Sequence, residues 1–262
     1  MKNFFGTIRF ELIKMCSSRV WWIICTLVVV IQPLIALITA RSYLQIGLDA
    51  TPETHPSLAS ALPPLDYFGV EIVPFGLLAM VVYGGMIGAN EYKHHQLRTG
   101  LLCQSSRIKL FCAKVLALLI CSAFVSFLAV YTTIFIMHFG LGEQGLHPFY
   151  LSTTAWQFIG YIVLDWILLT LFSFGGGMLF RNAIVPLAFL VPQIYNLGSY
   201  LAQRWEWGEY LPVAAGNLLF ATPTDPFEHD PLKGGIILLV WVLLALIISY
   251  YAFIRSDVGG KY

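Results

Sequence analysis

The sequence is poor in charged residues. Asp, Glu, Lys and Arg make up 11% of the 262 residues, whereas hydrophobic residues make up 58% and the mean hydropathy is +0.76. A soluble domain carries roughly 25% charged residues. This scarcity excludes an ordinary water-soluble fold and predicts an integral membrane protein. The charges nearly balance, at a formal net charge of +1, so their positions carry more information than their sum.

The sequence also lacks the motifs of several enzyme classes. It contains no G-x-x-x-x-G-K-[ST] phosphate-binding loop, no H-E-x-x-H zinc motif and no G-x-S-x-G nucleophile elbow. The five cysteines fall in apolar runs or in segments predicted to be cytoplasmic, which argues against a disulfide framework. The six histidines show no metal-ligand spacing with these cysteines. We therefore predict no catalytic residue, no metal site and no bound cofactor in this chain.

Six long apolar runs predict an all-α protein with six transmembrane helices. A helix that rises ~1.5 Å per residue needs roughly 20 apolar residues to cross the hydrocarbon core of a bilayer. Pro186 and Pro192 are expected to kink the fifth run, and Gly84 and Gly88 form a GxxxG spacing that permits close approach of another helix. We predict one transmembrane domain over residues 1–262. The runs fall at about 20–40, 70–90, 105–139, 155–180, 183–202 and 233–254.

The positions of the basic residues predict that both termini are cytoplasmic. Twelve of the fifteen lysines and arginines fall on one side of the six-span topology, and short loops rich in such residues stay in the cytoplasm. We therefore expect a multi-pass protein of the cell inner membrane. Its N-terminal segment 1–19 is either an interfacial helix or an ordinary basic flank, and residues 203–232 form an outer loop.

The densest cluster of polar residues lies between the second and third runs. We call residues 88–114, GANEYKHHQLRTGLLCQSSRIKLFCAK, the basic island. Two interpretations of the island are open: it seats a cytoplasmic partner, or its charge only retains the loop inside, beside anionic lipid. Its single acid is Glu91, and its five basic residues are Lys93, Arg98, Arg107, Lys109 and Lys114.

A few polar residues lie inside predicted spans. Asp165 falls near the middle of the fourth run, where a charge exposed to lipid would cost several kcal/mol. Its carboxyl either ties helices together or belongs to a substrate path or gate. Gln193 and Asn196 give the fifth run a polar side. These three residues are the candidates for a translocation path.

Four segments of the chain match the pattern of a known family. They are FELIKMCSSRVWW at 10–22, EYKHHQLRTGLLCQSSRIKLFCAKVLA at 91–117, GGGMLFRNAIVPL at 175–187 and EYLPVAAGNLLFA at 209–221. Together they resemble the ABC-2 family of exporter permeases. In that family the second segment is the first cytoplasmic loop, and the third is a tight turn between the fourth and fifth spans. The last is a short outer segment before the final span, which is re-entrant in related exporters. The chain departs from the usual pattern at His94, His95 and Gln96.

The resemblance implies the permease subunit of an ATP-driven exporter. Its cargo would be a hydrophobic or amphipathic compound, such as a drug, a peptide antibiotic or a lipid-like molecule. ATP and Mg²⁺ would bind to a separate ABC ATPase subunit, so this chain would not itself be an enzyme. A second permease half, either a copy or a related chain, would complete the transport unit. The chain would be surrounded by membrane lipid, and we expect no nucleic acid among its partners.

The resemblance also assigns roles to particular residues. Segment 91–106 would be the coupling loop, whose short helix seats in a groove of the ATPase, with Leu97 and Leu101 facing the groove. The residues expected to meet the ATPase are Glu91, Tyr92, Lys93, Leu97, Arg98, Leu101 and Arg107. The outer segment supplies the gate candidates Tyr210, Leu211, Pro212 and Leu218.

Two other classes of function fit the sequence. An ion-coupled secondary transporter would use an intramembrane charge, and Asp165 is the residue available for that role. A non-transporting immunity or scaffold protein would bind its target through the aromatic outer residues 205–210. The sequence leaves the cargo, the transport direction and the choice between homodimer and heterodimer open.

Overall fold

The computed structural model contains six helical segments that are long and apolar enough to cross a membrane. It describes residues 2–54, 61–93, 96–104, 106–147, 149–225 and 228–255, and no β-strand occurs within these ranges. The predicted all-α class with six spans is therefore confirmed, and the architecture is that of a multi-pass membrane protein. The six segments are Arg19–Ile46, Leu65–Asn90, Arg107–Gln144, Thr153–Phe180, Ile184–Arg204 and Pro231–Arg255.

Local sequence explains where several helices begin and end. The hydroxyl groups of Ser18 and Ser152 accept hydrogen bonds from the backbone N–H groups of Trp21 and Ala155, each at 3.1 Å, and so cap two of the spans. The helices are α1 (Lys2–Cys16), α2 (Arg19–Ile46), α3 (Val73–Asn90), α4 (Gln96–Cys103), α5 (Arg107–Leu141), α6 (Thr153–Phe180), α7 (Ile184–Pro192), α8 (Gly198–Arg204), α9 (Pro212–Leu219) and α10 (Pro231–Arg255).

The centre of the bundle is the packing of α3 against α6. A Cβ atom on Gly84 would lie 2.3 Å from the carbonyl oxygen of Thr170, and one on Gly88 would lie 2.3 Å from that of Phe174. No side chain fits at either position, so the GxxxG spacing is confirmed as a close-packing motif, here within one chain. Helices α5, α9 and α10 pack on other parts of α6.

The fifth span is interrupted. Helix α7 ends at Pro192, and the backbone leaves the helical conformation at Tyr195 (ψ 61°) and at Asn196 (φ 67°) before α8 begins. We call residues 193–197 the helix break. Pro186 is the third residue of α7, where a missing N–H leaves no helical hydrogen bond unmade. The prediction that Pro192 interrupts the fifth span is therefore confirmed. The prediction of a kink at Pro186 is wrong, because Pro186 lies in a regular first turn.

Two predicted loop boundaries differ from the structure. Helix α2 continues past Arg41 to Ile46, because polar residues can extend a span beyond the apolar core, and it ends at Gly47, whose φ of 98° favours glycine. The predicted loop 203–232 contains the buried helix α9, which packs against α10 and α6. Helix α1 packs against α5 through a face that includes the buried residues Thr7, Glu11 and Met15.

Candidate functional site

A network of four oppositely charged side chains lies where the basic island meets α1. Lys114 Nζ lies 2.6 Å from Glu11 Oε1 and 2.7 Å from Glu91 Oε2. Lys14 Nζ lies 2.6 Å from Glu91 Oε1 and 3.9 Å from Glu11 Oε2. We call Glu11, Lys14, Glu91 and Lys114 the ion network. Two positive and two negative charges cancel, so the network as a whole is neutral.

The ion network is largely removed from solvent. The side chains of Glu11, Glu91 and Lys114 are at most 2% exposed, and that of Lys14 is 27% exposed. Charges can be buried in this way only when each has a partner, because desolvation costs several kcal/mol per ion. Glu91 follows α3 directly and Lys114 lies two turns into α5. The network therefore fastens the segments on both sides of α4 to helix α1.

The two neighbouring lysines favour the ionised form of the Glu91 carboxyl group. Burial acts to raise the pKa of Glu91, but the ammonium groups of Lys114 and Lys14 together outweigh burial and hold that pKa below its usual range. The lowered pKa means that the folded protein favours the charged form of Glu91. The carboxylate thus contributes as one half of two ion pairs.

We expect acid to weaken the protein through Glu91. An unfolded chain releases the Glu91 proton near a pH of about 4.3. Since the folded-state pKa is lower, the carboxylate stabilises the fold above that pH, and the contribution is lost as the pH falls through the folded-state pKa. Thermal unfolding of the wild type and of Glu91→Gln measures this from about pH 7 to about pH 3. The stability difference between the two proteins should shrink toward the acid end, and a constant difference would contradict the assignment.

Most residues predicted to meet an ATPase contact this chain instead of pointing outward. Besides Glu91 in the ion network, Tyr92 has the Arg181 guanidinium 4.8 Å from its ring centroid. Arg107 Nη1 donates to the backbone carbonyl groups of Ile254 and Phe253, near the end of α10. These contacts join the two ends of the basic island to other parts of the bundle.

The predicted orientation of two leucines on α4 differs from the one that the structure shows. Leu97 is buried and Leu101 is partly buried against the hydrophobic core, and a Cβ atom on Gly100 would lie 3.1 Å from Leu110 on α5. The spacing of four residues does place both leucines on one face of α4, but that face packs against the hydrophobic core of the bundle. The two side chains hold α4 against the bundle and do not point outward, where a groove of a partner protein could receive them.

The outward surface of α4 and its approach consists of other residues. Lys93 and Thr99 are exposed, and the side chain of Leu102 is 88% exposed. The side chain of Arg98, and all of His94 and His95, lie outside the part of the chain that the structure describes. The described residues that α4 and its approach offer to a partner are therefore Lys93, Thr99 and Leu102.

The three other members of the ion network were missed as site residues. A signal for them exists in the sequence, since Glu11 is the only acid in residues 1–19 and Glu91 the only acid in the basic island. A lone acid in a basic, membrane-proximal segment predicts an ion-pair partner nearby. The sequence does not say which lysine that partner is.

The path candidates Asp165 and Gln193 both lie against α9. Asp165 is 1% exposed, its Oδ1 atom has no hydrogen-bond partner among the described residues, and a Cβ atom on Gly216 would lie 2.2 Å from it. Gln193 donates from Nε2 to the carbonyl of Phe189 at 2.9 Å and accepts from the N–H of Val213 through Oε1 at 3.4 Å. Both side chains therefore contact α9, one at its start and one in its second turn.

The remaining path and gate candidates lie around the start of α9. Asn196 is exposed at the helix break. Tyr210 is exposed, and its carbonyl oxygen accepts a hydrogen bond from Trp241 Nε1 at 2.7 Å. Pro212 and Leu218 are buried, whereas Leu211 is half-buried. The four gate candidates therefore do not form one surface: two belong to the packed interior and one to the exterior.

The described residues offer no group of three or more His, Cys, Asp or Glu side chains placed to hold a metal ion. Comparison of the chain with protein-family models gives no match, and neither does comparison with curated proteins.

The arrangement at the basic island can transmit a mechanical displacement. A small helix with an exposed outer face packs on α5, and the segments that flank it are held by buried charge pairs.

Proposed function

We propose that this chain is the permease subunit of an ATP-driven exporter of the ABC-2 type. It would carry a hydrophobic or amphipathic compound out of the cell through the inner membrane, with both termini in the cytoplasm. ATP and Mg²⁺ would bind in a separate ABC ATPase, and a second permease half would complete the transport unit. The observation that carries the proposal is the ion network, which fastens both flanks of α4 to α1.

The ion network makes α4 a suitable point at which to apply force. A displacement of α4 acts on Glu91 at the end of α3 and on Lys114 in α5. Both side chains are hydrogen-bonded to charged residues of α1. Separating buried charges costs several kcal/mol, so these helices move together instead of sliding past one another. Arg107 extends the linkage to the end of α10. Closure of a partner ATPase against Lys93 and Leu102 would thus reach four helices of the bundle.

The opposite end of the bundle supports a path for the cargo. Asp165 lies about three turns into α6, ~18 Å along its axis, and Gly216 of α9 contacts it there. A short helix that reaches this depth between longer spans fits the predicted re-entrant segment. Broken and re-entrant helices line substrate routes in other transporters. Asp165, Gln193 and Asn196 would border the route, and residues 210–218 would form its outer gate.

Loss of the exposed surface of α4 should separate the chain from its ATPase. We expect Lys93→Glu combined with Leu102→Asp to weaken binding of the ABC ATPase encoded nearest to this chain by about thirty-fold, because one lost anchor in an interface costs ~2 kcal/mol. Co-purification from membranes that contain both subunits, with the ATPase quantified by immunoblot, is the measurement.

The matched control for this experiment is Arg9→Glu, which reverses another exposed basic charge at the same end of the bundle, on α1. It should leave co-elution unchanged. Equal losses in both variants, or a wild-type chain that retains no ATPase, would contradict the proposal. So would transport at full rate in vesicles that contain this chain alone.

Asp165 favours one competing function, an ion-coupled secondary transporter, since a buried carboxyl group without a partner on Oδ1 can take up and release a proton. Such a transporter would move its cargo without nucleotide and stop doing so in Asp165→Asn. An exporter would instead stop when ATP is withdrawn. Vesicle flux with and without ATP therefore separates the two functions.

A further inference from the structure

A cavity of about 400 Å³ opens at the end of the bundle opposite to the basic island. Glu71, in its wall, precedes α3, whereas Glu91 of the ion network follows α3, so the length of that helix, ~27 Å, separates them. The wall also includes the ends of α2 and α9, the helix break, the start of α8 and parts of the segments 61–67 and 220–225. Its volume falls within the range of roughly 300–1,000 Å³ that is typical of sites for small organic ligands.

The charge of the cavity has one sign. The lining residues include the carboxylates of Glu71 and Asp225, and none of those described is Lys, Arg or His. Both carboxylates are held in place by neighbours. Glu71 accepts hydrogen bonds from Tyr43 Oη at 3.3 Å and from the N–H of Gly69 at 3.1 Å. Asp225 Oδ2 accepts from the N–H of Thr222 at 2.7 Å and from its hydroxyl group at 2.8 Å.

The helix break gives the cavity a second polar wall that is independent of the carboxylates. Asn196, whose positive φ is incompatible with a continuous helix, lines the cavity together with Ser199 and Asn217. Non-helical backbone in a membrane protein is tolerated where it lines a hydrated cavity, and discontinuous helices carry ligand sites in transporters. Val70, Pro74 and Phe220 supply apolar surface beside these polar groups.

We propose that this cavity binds an amphipathic organic cation, a molecule with a positive ammonium- or phosphonium-like centre attached to a hydrophobic body. The two fixed carboxylates attract the charge, and the Tyr43 and Phe220 rings and the apolar wall take the body. For an exporter, this assigns the class of cargo and in that respect rests on the proposed function. Binding itself requires this chain alone.

Two probes of the same shape and opposite charge test the proposal. Tetraphenylphosphonium and tetraphenylborate share a hydrophobic body, so only the sign of the charge differs. Equilibrium dialysis against the full chain in phosphatidylcholine nanodiscs, corrected with empty nanodiscs, should show saturable binding of the cation only. Its affinity should fall by about five-fold in Glu71→Gln and in Asp225→Asn, and by more in the double variant, because each substitution removes one attractive charge and retains the side-chain shape.

Glu143→Gln provides the matched control, since Glu143 is an exposed acid at the same end of the bundle and is not part of the cavity wall. It should bind the cation with wild-type affinity. Wild-type affinity in the double variant, or equal saturable binding of the borate, would overturn the proposal. If the wild-type chain co-elutes with the ATPase but does not bind the cation, only the assigned class of cargo is wrong. If it binds the cation but never co-elutes with an ATPase, the proposed exporter function is wrong and the assignment of the cavity stands.

Discussion

Replacing Lys114 with methionine is expected to remove roughly 3–5 kcal/mol from the free energy of unfolding. The Lys114 ammonium lies between Glu11 and Glu91 and is itself 1% exposed. Methionine has a similar length but no charge, so the variant leaves Glu11 without its closest partner inside the protein. Equilibrium unfolding of the purified protein in mixed micelles, with increasing fractions of dodecyl sulfate, measures the loss.

Two further variants show whether the loss comes from the buried charge. Lys109→Met makes the same change one and a half turns earlier in α5, at an exposed position, and should alter stability by less than about 0.5 kcal/mol. Adding Glu11→Gln to Lys114→Met should restore part of the stability, because it removes the unpaired carboxylate. A Lys114→Met protein as stable as Lys109→Met would contradict the ion network as described.

Alanine at Gly84 and Gly88 should separate the two central helices. The added Cβ atoms would lie 2.3 Å from the backbone oxygens of Thr170 and Phe174. A backbone atom inside a packed helix cannot move aside as a side chain can, so each substitution should cost at least the ~1–3 kcal/mol that is usual for overpacking. We expect the double variant to be lost from the folded fraction after detergent extraction, as measured by size-exclusion chromatography of a fluorescent fusion.

Gly160→Ala is the control for this pair. Gly160 lies on α6, the same helix that Gly84 and Gly88 contact, but nothing lies within 4 Å of the place its Cβ would take. Alanine there should be neutral or slightly stabilising, since glycine is a poor helix former. If all three variants extracted alike, the close approach of α3 and α6 would not determine stability.

The six spans were predictable because the length of an apolar run is a local property. Each run reaches the roughly 20 residues that a bilayer requires, and the signals for the helix break and for the GxxxG contact lie in the sequence itself, at Pro192 and at Gly84 and Gly88. The end of α2 was misplaced by several residues. A helix does not end where hydrophobicity ends, but where its backbone finds a terminating residue, here Gly47.

The candidate site was harder to predict because its contacts join distant parts of the chain. The lone acids Glu11 and Glu91 were visible, but their partners lie 103 and 77 residues away. Helical periodicity placed Leu97 and Leu101 on one face of α4 and could not say that this face would pack against the core of the bundle. The cavity is assembled from several separate segments, none of which has a ligand motif of its own.

The ion network also imposes an order on biogenesis. Lys114 is synthesised 103 residues after Glu11, a delay of roughly 5 to 20 seconds at ordinary ribosomal speed. During that interval Glu11 has only Lys14 as a partner, at the longer distance of 3.9 Å, and the helix α5 on which α1 packs is not yet complete. Docking of α1 on α5 is therefore a late step of assembly, and a polypeptide that stalls before residue 114 lacks the closest partner of Glu11.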